Sequence, residues 1–242
     1  MILIKGMMKD YKLGTARRVV FKNVDVNIPT DRRVAVFGAA ESGKTVLIRL
    51  LCGLEIPTEG EIVRYARVSF PVGYTRALKF NLSARQNIAF VSKVYGADEA
   101  EIAEFIERVT GLGVLLNEPM RKLTMNDRST FCYAMGYAMP FDTYLFDNAV
   151  VYGTPDFRRR CMAMFEERAR NSGIILATKH TKFASRCCDC GVVIRGRSAE
   201  FFDTISEAVA AFEQDEQARH ANLEFAALED ELARDEVTED ER

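Results

Sequence analysis

Val34-Ala35-Val36-Phe37-Gly38-Ala39-Ala40-Glu41-Ser42-Gly43-Lys44-Thr45-Val46-Leu47 is the stretch that decides the fold of this chain. Its first four residues form a continuous apolar run, the pattern of a strand buried on both faces of a parallel sheet. Gly38 to Gly43 interrupt that run. Beyond them Val46, Leu47, Leu50, Leu51 and Leu54 recur at spacings of three and four, which predicts a helix with one apolar face. The connecting loop, Gly38, Ala39, Ala40, Glu41, Ser42, Gly43, Lys44 and Thr45, fits G-x-x-x-x-G-K-[ST] at every position. Such a loop curls its backbone N–H groups inward onto phosphate oxygens, and the helix N-terminus adds partial positive charge. Lys44 is then placed to reach the β- and γ-phosphates, and the Thr45 hydroxyl to ligate Mg²⁺. The alternative is an ordinary turn of small residues. A chance match in a chain of this length is on the order of one in a hundred, and the strand–loop–helix context lowers that further. The expectation is a nucleoside triphosphate site that works with Mg²⁺.

A second half of such a site is a strand ending in a carboxylate. Thr143-Tyr144-Leu145-Phe146 runs into Asp147, which suits a Mg²⁺-binding aspartate. Aspartates often end strands, so this signal gains its weight from the loop upstream. Between the two, roughly Leu82 to Met139, the pattern is mostly helical. Ile102, Phe105, Ile106 and Val109 line one face of Ala97–Thr110, and a further helix is expected over Arg128–Met139, ended by Pro140. Short β-type runs open the chain at Ile2–Ile4, Val19–Phe21 and Val24–Ile28, the last with period-two alternation. Downstream of Asp147 come a helix over 156–171, a strand Ile174–Ala177 leading to His180, a short helix, a strand Val192–Ile194 and a helix from about Ser206. Strands alternating with helices and glycine loops at strand ends predict an α/β fold around a parallel sheet.

The chain has 242 residues, 48% hydrophobic, enough for one sizeable core or a core with a subdomain. No apolar run approaches the roughly 18 residues that span a bilayer, and Met1-Ile2-Leu3-Ile4-Lys5 has no signal-peptide character. Cytoplasmic placement is expected, with any membrane role exercised through a partner. The formal net charge of −2 hides an asymmetry: Glu213–Arg242 carries 12 acidic and three basic residues, −9, which leaves +7 on residues 1–212. The basic body suits an anionic ligand or membrane surface but lacks the clustered stripe of a nucleic-acid binder. The chain therefore divides into a nucleotide-binding domain, 1–212, with a helical subdomain at about 82–140, and an acidic tail, 213–242, read as solvated helix or disordered chain. Cys187, Cys188 and Cys190 lie close together, but their spacing is a poor match to a zinc site; they read as small apolar thiols.

Over nearly the whole length to about Phe212 the sequence resembles the ATP-binding subunits of ABC transporters, and among them the capsule and polysaccharide exporters. Tyr11 follows Met8-Lys9-Asp10 where that family places an aromatic against adenine. Arg49–Gly60 is similar to its helix and turn after the phosphate loop, Ser69-Phe70-Pro71-Val72-Gly73 to a segment of the polysaccharide exporters, and Leu82–Asn87 follows at the expected distance. Phe141–Asp147 resembles the Walker B strand, and His180 stands at the position of the switch histidine. The resemblance implies ATP and Mg²⁺ as ligands and an N-terminal antiparallel β-subdomain. It implies a peripheral ATPase on the inner face of the membrane, a head-to-tail homodimer or heterodimer with another such ATPase, and an integral membrane permease as partner. Tyr11 can equally serve as a packing residue, since an aromatic near a strand end is common. For His180 the alternative is a buried core histidine bonded to backbone, but its position at a strand end beside the nucleotide favours the functional role.

The departures from the family pattern concern catalysis. Asn148 stands where a glutamate activates water; an amide can orient water but accepts no proton at neutral pH. Thr154, after Tyr152-Gly153, replaces an expected aspartate. The signature loop becomes Leu123-Thr124-Met125-Asn126-Asp127: Thr124 keeps a hydroxyl for a γ-phosphate, Met125 removes a glycine, and Asp127 brings an unfavourable charge if it faces nucleotide. Lys79 falls near the position of a γ-phosphate-sensing glutamine. In a sandwich dimer, a competent partner would not by itself restore a complete site. Strongly reduced hydrolysis is therefore expected, by about 10²–10⁴-fold for a lost general base, unless His180 positions water differently. Two functions follow: an exporter's ATP-binding subunit, or a regulatory subunit that closes on ATP without using it efficiently. A small-molecule kinase with a phosphate loop needs lid arginines. Arg158-Arg159-Arg160 would spread around a helix rather than converge.

Overall fold

The computed structural model describes residues 1–75 and 78–221. Two sheets organise it. A three-stranded antiparallel sheet is built from β1 (Ile2–Leu13), β2 (Ala16–Ile28) and β4 (Glu59–Arg64), in the order β2-β1-β4. A six-stranded sheet has the order β5-β6-β7-β3-β8-β9, from β3 (Arg33–Gly38), β5 (Val68–Pro71), β6 (Thr143–Asp147), β7 (Gly173–Ala177), β8 (Cys190–Arg195) and β9 (Ser198–Phe202). Its strands are parallel except β9, which pairs antiparallel with β8.

The continuous apolar runs in β3, β6 and β7 follow from burial of this sheet on both faces. Val34 and Val36 of β3 share one core with Leu47, Ile48, Leu50 and Leu51 of α1 (Lys44–Leu51) and with Ile2, Ile4, Phe21 and Ile28 of the antiparallel sheet. Ala35 and Phe37, one residue out of phase, face a second core. That core is supplied by α2 (Ala84–Tyr95), α3 (Glu99–Thr110), α4 (Met125–Ala138), α5 (Pro155–Asn171), α6 (Thr181–Cys187) and a last helix, α7, over 205–221. Among the described residues, no helix is long and apolar enough to cross a membrane.

Several boundaries differ from the sequence-based expectations. The short N-terminal runs belong to one long hairpin. Its alternation is broken by register shifts between Ile4 and Asp10 and by positive φ at Gly6 and Asn23, so period-two counting finds only pieces. Glu59–Arg64 follows the expected turn as an exposed edge strand. The middle region is helical, as three capped α-helices: Ser83 and Gln86 form a capping box on α2, Asp98 caps α3 and Thr124 caps α4. Helix α4 starts at Met125 rather than Arg128, because Thr124 caps it and turns Met125–Asp127 into its first turn. In β5 the ladder is irregular, and the Ser69 hydroxyl accepts the Leu145 N–H at 2.8 Å in place of a backbone carbonyl. Helix α7 runs continuously through position 212. The remainder of the acidic tail, 222–242, lies outside the described residues.

Candidate nucleotide site

The parallel strands β3, β6 and β7 end side by side, so Gly38, Asp147 and Thr178 open onto the same edge of the sheet. Above that edge lies a cleft of about 1080 Å³, walled by the whole loop Gly38–Thr45, by Tyr11, Lys12, Arg18 and Arg49, by Asn148, Lys179 and His180, and by Phe212, Glu216 and Arg219.

The loop has the geometry of a phosphate cradle. Gly43 has φ 100°, and a Cβ there would lie 2.7 Å from Val20 Cγ1, so only glycine fits. A Cβ on Gly38 would lie 2.4 Å from Ser42 Oγ and fill the cradle. Glu41 has φ 59°, and alternating left-handed geometry of this kind turns successive N–H groups to one side. The Ser42 hydroxyl is buried with no hydrogen-bond partner, a costly state in a dry interior that a phosphate oxygen would relieve. Lys44 Nζ folds back onto the loop, bonding the Ala39 carbonyl at 2.7 Å and the Gly38 carbonyl. Burial lowers the Lys44 pKa, opposed by the charge of Asp147. Thr45 follows Lys44 as the second residue of α1.

Tyr11 pairs with Arg18 across the hairpin and lines the cleft. Its hydroxyl bonds the Glu55 carboxylate, and burial followed by Glu55 pushes its pKa up to about 12. Lys9 Nζ covers the ring at 4.9 Å from the centroid. Tyr11 is thus a fixed wall of the cleft. His180 is exposed at the start of α6, with its N–H on Thr178 Oγ1 at 3.1 Å, so it is not a core histidine.

Asp147 ends β6 half-buried, near enough to Lys44 to act on its charge. Asn148 is exposed with φ 69°, a left-handed conformation that asparagine tolerates better than other side chains. Its Nδ2 donates to Asp147 Oδ1 at 3.2 Å. Thr124 does not line this cleft. Its hydroxyl donates to Asp127 Oδ2 at 2.7 Å and accepts the Asp127 N–H at 3.1 Å. The Asp127 charge sits in the first turn of α4, where the helix dipole favours it. Thr154 is the N-cap of α5, accepting the Phe157 N–H. Lys79 lies away from the cleft, its backbone gripped by buried Asn87 through bonds of 2.8 and 3.0 Å.

A family model described as ABC transporter matches residues 21–151, from the second hairpin strand past Asp147. The chain belongs to the ABC transporter family. Its relatives include the polysialic acid transport ATP-binding protein KpsT of Escherichia coli, 28% identical, with 89% of this chain aligned to 100% of that protein. The capsule polysaccharide export ATP-binding protein CtrD of Neisseria meningitidis is 28% identical over 84% of this chain and 94% of its own length. ATP-binding protein BexA of Haemophilus influenzae is 26% identical over 86% and 96%. Among solved structures, the dimeric ATP-binding cassette MJ0796, in a post-hydrolysis state bound to ADP and Pi, superposes with a TM-score of 0.68 at 18% identity, covering 85% of this chain and 99% of that one. The fold is that of an ABC ATPase cassette.

The sequence did not single out Lys12, Arg18, Arg49 or Lys179 as cleft residues, nor the α7 residues Phe212, Glu216 and Arg219. The hairpin cations flank Tyr11 only once the strands are paired. A signal for α7 was present in the spacing of Ala208, Ala211, Phe212, Asp215, Glu216 and Arg219, one face of a helix.

Proposed function

We propose that the chain binds ATP with Mg²⁺ in the Gly38–Thr45 cleft and serves as the nucleotide-binding subunit of an exporter of capsule or other surface polysaccharide. It works at the cytoplasmic face of the membrane, paired with a second cassette, a copy of itself or another ATPase, and with an integral membrane permease. The observation that carries the binding site is the loop itself: glycines where a Cβ would fill the cradle, and a buried Ser42 hydroxyl without a partner. Lys44 exchanges two carbonyl bonds for phosphate oxygens, and Lys179 and His180 face the same cleft. Thr45 and Asp147 are the residues that would hold Mg²⁺, which neutralises charge on the β- and γ-phosphates. The likeness to the KpsT, BexA and CtrD proteins supports polysaccharide as the cargo class.

Hydrolysis is slow in this proposal. Asn148 offers water an amide but no base, and that amide already donates to Asp147. Thr124 spends its hydroxyl on capping α4. These two observations favour a second reading, in which the subunit closes on ATP and reopens mainly by release. Titration of the chain with Mg-ATP, turnover assays with its permease, and co-purification test these points together. Saturable binding, association with a permease and slow turnover support the proposal. Turnover at the rate of ordinary ABC ATPases sinks the slow-hydrolysis part, and no saturable binding sinks the whole.

A further inference from the structure

We infer that α7 completes the nucleotide site and that Arg219 is an additional ligand of the triphosphate, which draws it from its pair with Glu216. The inference rests on the ATP-binding reading above.

The helix is fixed against the cassette at two places. Phe212 stacks on Phe37, the last side chain of β3 before the phosphate loop, with ring centroids 5.3 Å apart and planes 13° from parallel. Arg195, at the end of β8, donates from Nε to Asp215 at 2.6 Å and from Nη2 to the Ala211 carbonyl at 3.4 Å. Phe212, Asp215, Glu216 and Arg219 follow at helical spacing, so they share one face. The seven steps from Phe212 to Arg219 advance about 10 Å at roughly 1.5 Å each. That carries the stripe from the strand end into the wall of the cleft, where Glu216 and Arg219 join Ser42, Lys44 and Lys179.

The charges on this wall have a logic. Arg219 Nη2 lies 2.8 Å from Glu216 Oε1, with the two side chains 43% and 32% exposed. A pair so exposed contributes little and is cheaply exchanged. Arg18 and Arg49 of the same cleft pair with Glu41 at 3.3 Å and Glu55 at 3.4 Å, and Lys12 and Lys179 also line it. Both α7 charges are felt at Lys44, Glu216 holding its proton on and Arg219 pushing it off. A guanidinium fork matches two phosphate oxygens, so a triphosphate is a better partner for Arg219 than one half-exposed carboxylate. A purely acidic cover would act in the opposite sense and keep nucleotide out.

The two possibilities give opposite signs in one titration series on the full chain, with Mg-ATP and with ADP as probes. R219Q is expected to weaken Mg-ATP binding by about tenfold, and ADP binding by less. R219K is expected to recover part of the loss, since it restores charge without the fork. E216Q is expected to tighten Mg-ATP binding by roughly threefold by freeing Arg219. Both positions are solvent-facing enough for the variants to fold, which a melting curve checks. Unchanged or tighter ATP binding by R219Q, beside normal wild-type binding, overturns this inference alone. Weakening by E216Q as large as that by R219Q also overturns it. No ATP binding by the wild-type chain removes the underlying proposal and this inference with it.

Discussion

The phosphate loop and the segments that should supply catalysis both stand at helix or strand ends, yet they treat their polar groups differently. In Gly38–Thr45 the groups wait: Ser42 Oγ is buried and unpartnered, and the Lys44 ammonium rests on two neutral carbonyls of its own loop, weaker partners for its charge than phosphate oxygens. At Asn148 and Thr124–Asp127 polar groups already hold partners of their own chain: one N–H of the Asn148 amide donates to Asp147, and the Thr124 hydroxyl both donates to and accepts from Asp127. An unmet buried group lowers the stability of the empty protein and returns that energy when a ligand arrives. A group satisfied within its own chain has nothing comparable to give. In the proposed reading, this difference lets the cassette keep ATP binding while hydrolysis slows.

The strongest attempt to break this comparison is Lys44→Ala. If the waiting groups hold ATP, removing the ammonium costs about a hundredfold or more in Mg-ATP affinity, since it makes charge-assisted bonds to two phosphates. Isothermal titration measures it directly. Binding within a few fold of wild type would mean that the loop is not where the triphosphate sits. Next in size is Asn148→Glu, which supplies the missing base. Turnover should rise by up to about 10²-fold, the low end of what a general base contributes. The variant should also lose roughly 1–2 kcal/mol of stability, because glutamate is poorly suited to the φ of 69°. An unchanged rate would place the defect in Leu123–Asp127 instead.

How much of this was legible in the sequence depends on what each region asks of its residues. The phosphate loop was legible because its function is set by backbone shape, and backbone shape demands glycine at Gly38 and Gly43 and a lysine at one fixed place. β3, β6 and β7 were legible because burial on both faces leaves only apolar runs. The hairpin was legible in fragments, since bulges between Ile4 and Asp10 reset the alternation. The edge strand Glu59–Arg64 was hidden by its exposed, charged composition. The capping role of Thr124 was hidden because one threonine and one aspartate three residues apart serve equally as a cap and as a degraded signature loop. Helix α7 was legible from about Ser206, but its place on the cleft was obscured by net charge: twelve carboxylates dominate Glu213–Arg242, while the stripe through Phe212 and Arg219 decides where its first turns lie.

A smaller effect sharpens the satisfied side of the comparison. Thr124→Ala removes the α4 cap, at a cost of about 1 kcal/mol. If the hydroxyl serves its own helix in the separate subunit, the melting temperature falls while Mg-ATP affinity of that subunit stays unchanged. A loss of affinity without a loss of stability would show that Thr124 belongs with the waiting groups.

The mildest test lies at the opposite end of the sheet from the cleft, at a polar contact with nothing left unmet. Asp189, just before β8, accepts the Arg33 backbone N–H at 3.1 Å, Arg33 Nε at 3.0 Å and Arg33 Nη2. The bond from the Arg33 side chain is the main cause that holds its carboxyl below the ordinary aspartate value of 3.8, with burial working against it. A carboxyl whose pKa is lower folded than unfolded stabilises the fold above the unfolded value, and that contribution is lost as pH falls through the folded value. The pair is partly exposed, so its worth after solvent screening is about 1 kcal/mol. Asp189→Asn should therefore lower the melting temperature at neutral pH and converge on wild type as pH drops below 3.8. Mg-ATP affinity should not change, because Asp189 has no group in reserve and none in the cleft. A gap in melting temperature that persists undiminished well below that pH would show that the carboxylate charge is not what Arg33 uses. A change in ATP affinity would show that a contact satisfied on the far edge of the sheet still governs the loop, and the division between waiting and satisfied groups would then fail.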